Sequence, residues 1–150
     1  MSTKAAQQET VSTKLIGRWE QICQKLATLA DEMPASKFHY KPTESVRTFE
    51  EVLRHVAFWN LYVADSAQGK TPNDAANELS KEEFPTKAAV MKALRRSAAD
   101  AAAALKDRSA QLTPEMAEMV VMFIEHNSEH YGQLSVYARL NGIVPPASRG

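Results

Sequence analysis

A single cysteine, five glycines and no excess of either charge set the first limits on this chain. With Cys23 alone, an internal disulfide and any multi-cysteine zinc or iron-sulfur site are excluded, so a bound metal would need histidines and carboxylates. Eighteen Lys plus Arg stand against eighteen Asp plus Glu. That balance leaves no net positive field to hold a phosphate backbone or an anionic lipid surface, and neither nucleic acid nor membrane is an expected partner. The longest apolar stretch with aliphatic bulk is Met119 to Ile124, far short of the roughly twenty residues that cross a bilayer. Met1 to Gln8 lacks a positively charged start followed by an apolar core. It reads as a polar tail rather than a signal peptide, and a cytoplasmic location is the expectation. Few glycines and no strict apolar alternation leave little support for strands.

What is present is helical periodicity. A length of 150 residues with 44% apolar and 24% charged content fits one soluble domain spanning residues 1–150. From about Thr10 to Ala30, the set Val11, Leu15, Ile16, Trp19, Ile22, Cys23, Leu26 and Leu29 repeats at three and four, and Pro34 follows its end. Thr48 with Glu51 forms a capping-box pattern that opens a second helix to about Ala67, with Phe49, Val52, Val56, Trp59 and Val63 on its apolar stripe. The segment from Gln68 to Thr86 is long enough to cross the bundle end or cover a site, with one short helical turn expected near Asn73 to Leu79. An alanine-rich third helix occupies roughly Lys87 to Arg108. The fourth begins at Thr113 as cap and Pro114 in the first turn, and it ends at Asn141 before Gly142, Pro145 and Pro146. Four such stripes bury most simply against one another, which predicts an all-α four-helix bundle. The short connection Ser109 to Leu112 predicts that helices three and four are antiparallel neighbours.

Two histidines interrupt the apolar stripe of the fourth helix, which runs Met116, Met119, Phe123, His126, His130, Leu134, Tyr137. Four residues apart, His126 and His130 stand one turn above another and can reach one cation from the same side. On the second helix, Val52, His55, Trp59 and Tyr62 follow the same spacing and aim His55 at the interior. Three imidazoles suit zinc, nickel or ferrous iron and leave coordination positions for water or substrate. The competing possibility is that these are packed core histidines with ordinary hydrogen bonds, since an isolated His-x-x-x-His occurs widely.

The stretch His126-Asn-Ser-Glu-His130-Tyr-Gly-Gln-Leu134, followed by Tyr137-Ala-Arg-Leu140-Asn-Gly-Ile-Val-Pro-Pro146, resembles the C-terminal signature of the DinB-like superfamily of metal-binding four-helix bundles. Upstream, Tyr40-Lys-Pro-Thr-Glu-Ser-Val-Arg-Thr-Phe49 leading to Leu53-Arg-His55-Val-Ala57 is similar to the segment carrying that family's first histidine. The resemblance covers about Tyr40 to Ser148 and implies a DinB/YfiT-like bundle in which His55, His126 and His130 form the metal triad. It also implies a small-molecule substrate: related members include transferases that use a low-molecular-weight thiol, a mycothiol-dependent isomerase and YfiT-like hydrolases. Family members often associate, so a homodimer is the expectation. The alternative from another functional class is a stress protein that binds a metal or small ligand without turnover.

Around the triad, Glu125 and Glu129 could orient an imidazole but read more simply as solvated charges. His39 and Tyr40 lie on the first connection, where a bundle-end loop could bring one to the site; their plainer roles are a surface histidine and a packing tyrosine. Gln133 and Tyr137 could contact substrate. Gly132 in mid-helix is best explained by close packing against another helix. Cys23 reads as a buried inert thiol, and Met116, Met119 and Met122 as core or channel lining. Trp19 and Trp59 read as core anchors.

Overall fold

The computed structural model describes residues 9–108 and 111–150; the Met1 to Gln8 tail and part of the Ser109 to Leu112 connection lie outside them. Four helices follow one another: α1 (Val11–Glu32), α2 (Phe49–Ala67), α3 (Lys87–Asp107) and α4 (Pro114–Leu140). Each begins on a threonine. The hydroxyls of Thr10, Thr48, Thr86 and Thr113 accept the backbone N–H three residues on, in each case satisfying one of the donors that a helix start leaves open. Glycine ends α4 as expected, with Gly142 at φ 76. Single 3-10 turns at Ala35–Lys37 and Pro146–Ser148 are the only other helical elements among the described residues, and none of these residues forms a strand.

Side-chain ties give the helix directions. Lys87, at the start of α3, donates to the carbonyls of Asp31 and Met33 at the end of α1, both at 2.8 Å. Leu112 N–H, just before α4, donates to Ser12 Oγ at the start of α1. Tyr137 Oη, near the end of α4, donates to the Arg47 carbonyl just before α2. Helices α1 and α4 therefore run one way and α2 and α3 the other, and residues 68–86 must return along the bundle to join the parallel pair. This crossover contains turns and bends and no helix, so the short helical turn expected near Asn73 to Leu79 is absent.

Each of α1 and α2 packs on both α3 and α4, which leaves α3 and α4 antiparallel but diagonal. The expectation that they are neighbours is overturned. The buried Leu112 and its bond to Ser12 draw the start of α4 across the bundle end onto α1, so a short connection did not require adjacency. Two other expectations also fail. Gly132 faces outward with no atom of another helix within 4 Å of where a Cβ would stand, and Met122 is half exposed because it lies off the inner stripe.

The interior divides into two apolar clusters. One gathers Leu26, Leu29, Phe38, Phe49, Leu53, Val56, Leu94 and Leu134 at one end, and the other gathers Ile16, Trp19, Val63, Ala101, Leu105, Val120 and Phe123 at the opposite end. Between them along the helices lie three fully buried polar side chains, Asn60, Ser97 and Asn127. Polar groups in such a place cost free energy unless every partner is supplied.

The Thr48 cap positions the helix that carries His55, and Glu51 returns the bond by accepting Thr48 N–H at 2.7 Å. Thr48→Ala should lower the unfolding free energy by about 1 kcal/mol in denaturant titration at pH 7. The backbone N–H of Thr48 holds the Glu51 carboxyl below its ordinary pKa. Its stabilising contribution is therefore present at neutral pH and lost as pH falls through the carboxylate range. Glu51→Gln, which cannot ionise, should remove that part of the acid-side slope; an unchanged slope would count against the assignment.

Candidate metal centre

The three histidines expected from the inner stripes come together. One ring nitrogen of each lies within 4.8 Å of those of the other two, and the Nε2 atoms of His55 and His126 are 3.0 Å apart. The bundle itself enforces this. His126 and His130 are stacked by their spacing on α4, while His55 reaches them because the inner stripe of α2 packs on α4.

Each ring is oriented through its other nitrogen. His55 Nδ1 donates to the Asn77 carbonyl at 2.6 Å, His126 Nδ1 to Asn127 Oδ1 at 3.2 Å, and His130 Nδ1 to Gln133 Oε1 at 2.9 Å. A carbonyl or an amide oxygen can only accept, so these contacts put the proton on Nδ1 and turn the Nε2 lone pairs inward. Two of the acceptors are themselves oriented. The Asn127 Nδ2 donates to Asn60 Oδ1, Asn60 Nδ2 donates to Ser97 Oγ, and Ser97 Oγ donates to the Leu94 carbonyl. This relay fixes which end of the Asn127 amide meets His126. Likewise Gln133 Nε2 donates to Tyr137 Oη, which donates to the Arg47 carbonyl.

Burial pushes the pKa of His55 and that of His126 down to about 4, and burial lowers His130 as well. Neutral imidazole is the form that ligates a cation. One pair of the donor set also fits a cation by distance: with nitrogens about 2.1 Å from a metal, pairs stand about 3.0 Å apart at a right angle and about 3.4 Å at the tetrahedral angle. The His55 and His126 pair already has that separation. His130 also lines an open polar cleft of about 690 Å³ with Lys41, Arg47, Glu51, Glu78 and Gln133, which opens one of the three rings to solvent.

The surrounding residues resolve differently. Glu125 and Glu129 are exposed, and among the described residues neither hydrogen-bonds a histidine. His39 is exposed and away from the cluster, while Tyr40 packs edge-on against Tyr137 with ring centroids 5.9 Å apart. Trp59 stacks on Phe123 at 5.4 Å and donates its indole N–H to Asn77 Oδ1. Asn60, Ser97, Asn127 and Asn77 were missed by sequence reasoning. Asn127 and Asn60 carried a usable signal, since each replaces an apolar residue in a stripe of three-and-four spacing: Val120, Phe123, Asn127, Tyr131, Leu134 and Val56, Asn60, Val63. Asn77 carried none.

Cys23 is buried as expected, and burial raises its thiol pKa to about 12, opposed by a weak contact from Asn127 Nδ2 at 3.7 Å. Because the thiolate is the reactive form, native protein at pH 8 should resist an alkylating or disulfide reagent for hours and react fully once denaturant is added. Rapid labelling of the folded protein would contradict this placement.

No curated protein matches the chain. The family model of the DinB superfamily matches residues 18–134, an interval that holds all three histidines and the greater part of all four helices. With that span of match, the helical bundle and the histidine cluster all in agreement, the chain belongs to the DinB superfamily.

Proposed function

We propose that this protein binds one divalent cation through His55, His126 and His130 and uses it as a metal-dependent enzyme of hydrolase or thiol transferase type on a small molecule. The observation that carries this reading is the set of three inward Nε2 atoms, each ring held by an oxygen acceptor at Nδ1, beside an open cleft. With their protons on Nδ1, His55 and His126 have none to share across the 3.0 Å between their Nε2 atoms, and a cation there would satisfy both lone pairs. Zinc, nickel and ferrous iron are the ions that three imidazoles suit. Such an ion supplies Lewis acidity, the means by which water or a low-molecular-weight thiol becomes a nucleophile near neutral pH.

The chain's own residues shape what can react. Lys41 and Arg47 at the cleft mouth stand among Glu44, Glu51 and Glu78, so the entrance has mixed charge and suits a small polar molecule rather than a polyanion. No described helix is long and apolar enough to cross a membrane. The outward face of α4 leaves Val121, Met122, Val136 and Leu140 exposed around the open Gly132, and this face supports a homodimer. A cytoplasmic location accords with this reading.

Removing metal and removing ligands test the proposal together. The protein stripped by chelator should rebind one equivalent of zinc or nickel, and His55→Ala, His126→Ala and His130→Ala should each lose most of that affinity while remaining helical by circular dichroism. His39→Ala should bind as the parent does. If His55→Ala retains one tightly bound equivalent under chelator competition, the three-histidine assignment is wrong. Activity against electrophile and ester panels should require the metal; stoichiometric metal without turnover on any panel would favour the non-catalytic binding protein.

A further inference from the structure

The crossover between α2 and α3 takes one unusual backbone conformation on its way back along the bundle. Asn77 has φ 58, the only positive φ outside glycine among the described residues. That left-handed geometry directs its carbonyl at His55 Nδ1, 2.6 Å away, while its side-chain Oδ1 accepts the Trp59 indole N–H at 2.9 Å. One residue later, Glu78 lies between two arginines. Its Oε2 is 3.5 Å from both Nε and Nη2 of Arg54, and its Oε1 is 3.5 Å from Arg47 Nε. Leu79 N–H then meets the Arg54 carbonyl at 3.4 Å.

Arg54 is the residue before His55 and is 1% exposed. Its Nε and Nη1 have no hydrogen-bond partner, so its buried charge is balanced by one long Nη2 hydrogen bond to Glu78 and by ion pairs with Glu78 and with Glu50, the latter at 3.8 Å. Withdrawal of the crossover would leave that charge with one carboxylate, which makes separation of Glu78 from Arg54 costly. The seating of Glu78 in turn fixes where the adjacent Asn77 carbonyl stands.

We propose that residues 77–79 are a working part of the metal centre: the Asn77 backbone carbonyl is the positioning acceptor for His55, and the Arg54 and Glu78 pair is the latch that seats it. The proposal rests on the reading of His55, His126 and His130 as metal ligands. Its physical basis is that an acceptor on the outer nitrogen fixes the tautomer and rotation of a ligating imidazole and raises its basicity, and that loss of such a partner lowers metal affinity about 10- to 100-fold. Because the acceptor belongs to the main chain, residue 77 should matter through its φ rather than its side chain. Glycine adopts this conformation without strain, whereas a β-branched residue resists it.

The test is chelator-competition titration of the full chain with zinc, together with the visible absorption spectrum of the cobalt-loaded protein, which reports ligand geometry independently of activity. Asn77→Gly should keep zinc affinity and cobalt spectrum close to the parent. Asn77→Val and Glu78→Gln should each weaken zinc binding by about 10- to 100-fold and alter the cobalt spectrum, with helicity retained. Glu78→Gln keeps the proposal testable if Asn77→Val does not fold. Glu44→Gln removes the same charge from the same cleft without touching the crossover, and it should match the parent. Parent-like binding by Glu78→Gln and by folded Asn77→Val would overturn the proposal while leaving the triad intact. Equal weakening by Glu44→Gln would overturn the latch in favour of simple charge, and a weakened Asn77→Gly would overturn the backbone role. A parent that binds no stoichiometric zinc, or a His55→Ala variant that binds as tightly as the parent, would overturn the triad itself and this proposal with it.

Discussion

Burying His55 and half-burying His126 and His130 in a helical bundle imposes an obligation on the rest of the fold, because each ring has a second nitrogen with restricted access to water that needs an acceptor. The structure meets the obligation in three different ways. The acceptor for His130 comes from its own helix through Gln133, one turn on; that for His126 comes from Asn127, itself oriented by Asn60 on α2 and Ser97 on α3; that for His55 comes from the crossover through Asn77. Each Nδ1 bond has the same consequence. It leaves Nε2 as the nitrogen without a proton, and the Nε2 atoms of His55 and His126 face each other at 3.0 Å.

The Asn127 relay also explains why a polar layer is tolerated between two apolar clusters. Asn60, Ser97 and Asn127 are each almost wholly buried, yet every step from His126 to the Leu94 carbonyl pairs one donor with one acceptor. A relay that is complete can specify a single arrangement of three helices, whereas an apolar layer would allow α2 and α4 to slide against one another. Register matters here because His55 meets His126 only when α2 and α4 are aligned to within a turn. The layer that costs burial energy thus serves the alignment of the site.

Much of this was legible in the residues. Threonine caps at Thr48 and Thr113, the proline after Thr113 and Gly142 after α4 mark helix limits because capping is local chemistry, and the observed bounds fall within two residues of the expected ones. The triad was legible because spacing on α4 and the inner stripe of α2 are also local patterns. Features that depend on tertiary contacts were not. The diagonal placement of α3 and α4 turns on Leu112 reaching Ser12, which no periodicity encodes. Gly132 looked like a packing glycine because helix interiors disfavour it, but whether its face points in or out depends on which helices adjoin α4. Asn77 was invisible for the strongest reason: its contribution comes from backbone conformation in an irregular segment, where the residue type records only a tolerance for φ above zero.

Membership of the DinB superfamily accounts for the bundle, but under the proposed reading the choice between water and a thiol as the nucleophile turns on what this chain supplies. Cys23 is its only thiol, and it sits on α1 among Ile16, Trp19 and Phe123 with its pKa raised to about 12. It touches Asn127 rather than any histidine and does not line the cleft beside His130. A resident cysteine therefore cannot be the sulfur that reacts. Under the proposed reading, thiol transfer here needs a free small thiol entering past Lys41 and Arg47, while hydrolysis needs only water by the same route. Under that reading both nucleophiles arrive from solvent, which is consistent with a cluster whose three histidines come from two helices and whose His130 lines an open polar cleft.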